Sequence, residues 1–217
     1  AVLARLSSKF RNSGLDIAVL VRAIMESPEF YSDKAARKIY KNPVDFCIAS
    51  LRSLGVGSRM MAAAVVNEEG RIPLTALAPA AAAMNATKAM GMELLWPPDV
   101  AGWDGGAAWI SSATMVERIK WADRLFVAPQ LGGGGGNAGR VGSVRYPAAS
   151  LFADDSPSGA VQTLLSVFDA EMPAAKIQQL EKAARDASEG VVTAQNANRV
   201  ALTVCRLLFG APEFQFT

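Results

Sequence analysis

The sequence predicts an all-α fold, an irregular multi-helix array interrupted by one Trp/Pro/Gly-rich ordered loop and one long Gly-rich loop. Three observations predict it. Alanine is the commonest residue, 39 of 217, and favours helices packed closely through small side chains. Val, Ile and Thr do not gather into alternating runs, so the period-2 pattern of strands is missing. Apolar residues instead recur at helical spacing between helix-start and helix-stop residues.

The elements follow in order. "VLARLSSKFRNSG" reads as a helix stopped at Ser13-Gly14. Asp16 is placed to cap "IAVLVRAIMES", whose Ile17, Leu20, Val21 and Ile24 make one apolar stripe before Pro28. Asn42-Pro43, a cap followed by a first-turn proline, starts "VDFCIASLRSLG", with Gly55 as the stop. A shorter helix is expected through "SRMMAAAVVN" and another through the Ala-rich "PAAAAMNATKAMGMELL". "SSATMVERIKWADRLFVAP" places Met115, Ile119, Ala122 and Phe126 on one face and Glu117, Lys120 and Arg124 opposite. Three more helices begin at Ser156-Pro157, at Pro173 and in "AQNANRVALTVCRLLFG", the last ending at Gly210.

Two short segments echo each other. "RAIMESPEF" (22–30) and "RLLFGAPEF" (206–214) both halt a helix before a small residue, Pro, Glu and Phe. The shared pattern reads as one helix-stop device used twice rather than as a binding motif.

Composition excludes several functions. The formal charge is +2, with 22 basic and 20 acidic residues interspersed; no basic stripe fits a phosphate backbone, and nucleic acid is not an expected partner. No apolar run is long and uninterrupted enough to span a bilayer, the Ala-rich stretch being broken by Pro79, Asn85, Thr87 and Lys88. Histidine is absent, which removes the commonest general base and transition-metal ligand. Cys47 and Cys205 lie far apart on apolar helical faces and read as buried thiols, with a mutual disulfide as the alternative. "ADDSPSG" (153–159) reads as a helix cap rather than a metal site. No metal, no cofactor and no catalytic residue is assigned.

Residues 129–156 contain five consecutive glycines. They connect two helical parts of what reads as one helical domain over 1–217, either as a flexible linker or as a surface contacting another chain or the protein's own helices.

The densest chemistry lies in "LLWPPDVAGWDGGAAW" (94–109), which holds three of the four tryptophans. Pro97-Pro98 stiffens the segment and Gly102, Gly105 and Gly106 let it turn. The candidate binding residues are Trp96, Asp99, Trp103, Asp104 and Trp109. The indoles can pin the loop over helix ends or meet a partner. Asp99 and Asp104 can form turns or a carboxylate pair of the glycosidase type.

The same stretch, continued through "ISSATMVERIKWADRLF", resembles the C-terminal segment of the bacterial family called domain of unknown function 1800. The matching positions are Pro97 or Pro98, Val100-Ala101-Gly102-Trp103, Gly105 or Gly106, Trp109, Ser112, Arg118 and Trp121-Ala122 with Leu125. "FRNSGLDIAVLVRAIMESPEFYS", "KNPVDFCIASLRSLG" and the final "RLLFGAPEFQF" fit the family's order. The glycine run does not belong to that pattern. The resemblance implies the C-terminal portion of a longer exported or cell-envelope protein, placed in the periplasm, on the cell surface or outside the cell. It brings no established activity. The expected role is a structural or protein-interaction module, with other subunits or self-assembly as partners. The alternative is a hydrolase-like enzyme or glycan-binding protein using 96–109.

Overall fold

The computed structural model describes residues 1–66, 68–73, 76–127 and 144–217. Among these residues there are nine α-helices, several 3-10 turns and no strand. The five-glycine run lies outside the described residues, and with it the expectation that it contacts a helix or another chain. The described residues group into two compact units, Ala1–Ile39 with Phe216–Thr217, and Tyr40–Gln215.

The first unit is a helical hairpin. α1 (Val2–Asn12) ends at Ser13, and Gly14 follows with φ +72°, the left-handed geometry that a helix stop needs. α2 (Ile17–Met25) is capped as its sequence requires: the Asp16 carboxylate accepts from the amides of Ala18 and Val19. Its apolar stripe is not a core face, because Ile17, Val21 and Met25 remain exposed and only Ala23 is buried. A 3-10 turn, Pro28–Tyr31, follows, and the Arg5 guanidinium pairs with Glu29 at 2.8 Å.

The second unit holds the main core. α3 (Pro43–Ser53) starts where Asn42 caps the Asp45 amide. α4 (Val56–Ala63) begins two residues before the serine from which its start was expected, because Gly55 at φ +63° reverses the chain at once. α5 (Ala78–Ala89) presents Ala82, Ala83 and Ala86, all nearly inaccessible, so its backbone can approach α3 and α6 closely.

α6 (Ser112–Phe126) opens with a reciprocal cap between Ser111 and Thr114. Its buried face is Arg118, Trp121, Ala122, Leu125 and Phe126, rotated from the expected Met115–Ile119 line. α7 (Pro157–Val167) is capped by Ser156, whose amide and hydroxyl are both held by the Asp154 carboxylate. α8 (Ala174–Ser188) and α9 (Ala197–Gly210) complete the array.

α9 is the central element, packed against α6, α7 and α8. It buries Val200, Val204, Leu208 and Phe209 along one face. Each such side chain contributes about 1.5–3 kcal/mol of apolar burial. Phe46, Phe168, Phe209 and Phe214 form an aromatic cluster, with Phe209 and Phe214 stacked and the other contacts edge to face. Cys47 and Cys205 are both buried in this core as free thiols.

Candidate functional site

The segment between α5 and α6 is anchored at both ends and open in the middle. At its start, Met90 is buried and Gly91 (φ +90°) turns the chain away from α5. The Met92 amide donates to the Thr87 carbonyl at 2.8 Å, and Lys88 pairs with Glu93 at 2.6 Å. At its end, the 3-10 turn Gly106–Trp109 inserts the Trp109 ring, 8% exposed. Thr114 Oγ1 donates to the Trp109 carbonyl at 2.9 Å, tying that anchor to the first turn of α6.

Two tight turns shape the span between the anchors. In the first, the Trp96 amide donates to the Glu93 carbonyl at 3.1 Å, and Leu95 adopts φ +66°. A left-handed leucine costs about 1–2 kcal/mol relative to ordinary helical backbone, and its side chain is 94% exposed, so burial does not offset that cost. Pro97-Pro98 then sets the direction of the chain by fixing φ at both residues. In the second turn, Asp99 Oδ1 accepts from the Ala101 amide at 2.8 Å and the Asp99 carbonyl accepts from Gly102 at 3.2 Å. Gly102 sits at φ +94°, a conformation that L side chains rarely adopt.

These turns place the five candidate residues differently. Trp109 is buried, Trp103 is half-buried, and Trp96, Asp99 and Asp104 are exposed. Trp96 shows 76% of its surface, and Val100, four residues on, is fully exposed. The local backbone is what the proline, glycine and aspartate positions dictate. The loop nevertheless leaves Leu95, Trp96 and Val100 facing solvent rather than closing over the helix ends.

Among the described residues no hydrogen bond joins Asp99 to Asp104. The Asp99 carboxylate completes its own turn. Four cavities among the described residues lie elsewhere, and none of these four takes a wall from residues 94–109. One is a shallow apolar trough of about 670 Å³ along α2, bordered by Ile17, Val21, Met25 and Tyr31. A smaller cavity of about 150 Å³ lies between α8 and the end of α9. Among the described residues no group of three or more Cys, Asp or Glu side chains is placed to hold a metal ion.

The perturbed ionisable groups belong to the framework. Burial pushes the Cys47 thiol up to about 12, against the opposing pull of Arg118 and Arg124. Burial also raises Cys205 well above its ordinary value and lowers Arg118 to about 10. Asp154 is lowered by the hydroxyl and amide of Ser156. Arg118 is a feature that the periodicity of α6 did not reveal. Fully buried, it donates to Gln215 Oε1 at 2.9 Å and to the Lys41 carbonyl at 2.7 Å, and its guanidinium lies 4.7 Å from the centre of the Phe46 ring. It ties α6 to the segment before α3 and to the C-terminal turn. Only its position three residues before Trp121, on the same helical face, could have signalled this.

A family model described as "Protein of unknown function (DUF1800)" matches residues 1–216. No curated protein and no solved structure matches the chain.

Proposed function

Because this chain belongs to the DUF1800 family, whose description assigns no activity, we propose from its own surface chemistry that it is a protein-interaction module. Its docking element is the loop tip of Leu95, Trp96 and Val100. One observation carries the reading: a tryptophan held 76% exposed on a double-proline segment, between two hydrogen-bonded turns and two buried anchors. An indole in water forgoes ~2 kcal/mol or more of burial that a partner can supply. Holding it on a preshaped loop lowers the ordering cost of association. Tryptophan is also among the residues most enriched where interfaces concentrate their binding energy. The role is proposed for an exported or envelope setting, the location that the family resemblance implies.

Binding is tested by comparing the wild-type protein with Trp96→Ala. Partner proteins crosslinked in the native cells should disappear from the Trp96→Ala sample while its melting temperature stays unchanged. An unchanged set of crosslinked partners would reject the reading.

A further inference from the structure

The charges around the exposed tip state what kind of surface it fits. Between Lys88 and Arg118 the chain contains no lysine or arginine, but four acids: Glu93, Asp99, Asp104 and Glu117. Two of these are compensated. Glu93 is paired with Lys88, and Glu117 with Lys120 and Arg124. Asp99 and Asp104 are both exposed and have no cationic partner among the described residues. Asp99 lies one residue from Val100 and three from Trp96, and Asp104 adjoins Trp103. Along the loop the exposed apolar residues Leu95, Trp96 and Val100 thus alternate with two exposed carboxylates that no cation pairs among the described residues, and Arg118, the next cation along the chain, is fully buried.

From this juxtaposition we propose that the loop docks against an apolar segment of a partner protein whose rim carries lysine or arginine. The inference rests on the docking reading above and adds the chemistry of the partner. Complementary rim charges steer encounter and fix register, while the apolar centre supplies the affinity. An anionic lipid surface fits poorly, since interfacial insertion of an indole is ordinarily supported by nearby Lys or Arg, and here the neighbours are carboxylates. Nucleic acid is disfavoured by the same repulsion. The Asp99 turn adds a constraint on the rim: one Asp99 oxygen is held by the Ala101 amide, which fixes the direction in which the carboxylate presents its charge.

The test uses the full chain and an immobilised library of short peptides, each with a Leu/Phe/Trp centre flanked by Lys/Arg, by Asp/Glu or by Ser/Gly. Phosphatidylcholine vesicles, with and without phosphatidylglycerol, are the second probe. Three proteins are compared: wild type, Trp96→Ala, and the double variant Asp99→Asn/Asp104→Lys. Asparagine at 99 keeps the side-chain oxygen that accepts from the Ala101 amide while removing the charge.

The wild type should retain basic-flanked peptides about tenfold more strongly than acidic-flanked ones, with the preference fading as salt rises. Trp96→Ala should lose both classes, and the double variant should lose or reverse the preference. If Trp96→Ala retains peptides like the wild type, the docking reading itself fails. If Trp96→Ala loses them but the double variant keeps the basic preference, docking stands and the charge inference is overturned. Vesicle binding by the wild type without peptide retention, or no retention of any peptide, also overturns the proposed partner.

Discussion

The Trp121 indole N–H donates to the Ser50 hydroxyl at 2.7 Å, and both side chains are buried between α6 and α3. Ser50 in turn donates to the Cys47 carbonyl at 2.8 Å, so one hydroxyl serves two elements. An indole N–H has no alternative partner once water is excluded. Ser50→Ala should therefore cost about 1–3 kcal/mol, the penalty of an orphaned buried donor. Urea denaturation would read this as a lower midpoint at unchanged slope. A loss below a few tenths of a kcal/mol would mean that water replaces the hydroxyl.

Arg118 should be among the most destabilising positions to truncate. Arg118→Ala removes donors from the Lys41 carbonyl and from Gln215 and opens space beside Phe46. The expected cost is about 3–5 kcal/mol, as for buried charged groups whose partners are left behind. Arg118→Lys should fall between, because one ammonium cannot reproduce the planar fork that reaches both acceptors. Equilibrium unfolding of the two variants tests the order.

The four tryptophans should separate by burial rather than by sequence position. Trp121→Ala and Trp109→Ala should each cost about 3–5 kcal/mol, the range for emptying a buried aromatic site. Trp103→Ala should cost less, because its ring is half-buried. Trp96→Ala should change stability by no more than about 0.5 kcal/mol, as for an exposed substitution. Thermal melts of the four single variants give the ranking, and a large loss at Trp96 would contradict its exposure.

Alkaline stability should fall in a defined window. Thiols in the unfolded chain ionise near 9, whereas buried Cys47 holds its proton to about 12 and Cys205 is raised as well. The folded state then binds more protons than the unfolded state, so stability is full below pH 9 and declines as pH rises above it. The decline should reach about 1.4 kcal/mol per thiol by pH 10. Arg118, lowered to about 10, acts with the opposite sign, and its effect takes hold only from about pH 10 upward. Urea midpoints measured from pH 8 to 10 should show the fall, and the double variant Cys47→Ala/Cys205→Ala should flatten it.

Much of the backbone was legible because its causes are local. Asp16, Asn42 and Ser156 cap the helices they precede in sequence. The two Pro-Glu-Phe echoes both form a 3-10 turn after a helix, with the Phe30 amide donating to Ser27 and the Phe214 amide to Ala211. The turn chemistry of Asp99 and Gly102 was equally readable, since carboxylate-to-amide bonds and left-handed glycines need only a few neighbouring residues.

Burial was not legible in the same way. Identical echoes leave Phe30 exposed and Phe214 in the aromatic cluster with Phe46 and Phe209. An apolar stripe on α2 stays open while the comparable stripe of α9 is wholly covered. Arg118, which helical periodicity assigned to neither face of α6, is enclosed, and Trp96, readable as a pin for the loop or as a partner contact, is exposed. The sequence by itself determined the helical class, the caps, the turns and the chemistries lacking histidine, all products of short-range backbone preference. Tertiary structure alone decided which apolar faces meet a partner within the chain, because burial depends on what distant elements bring to the same place.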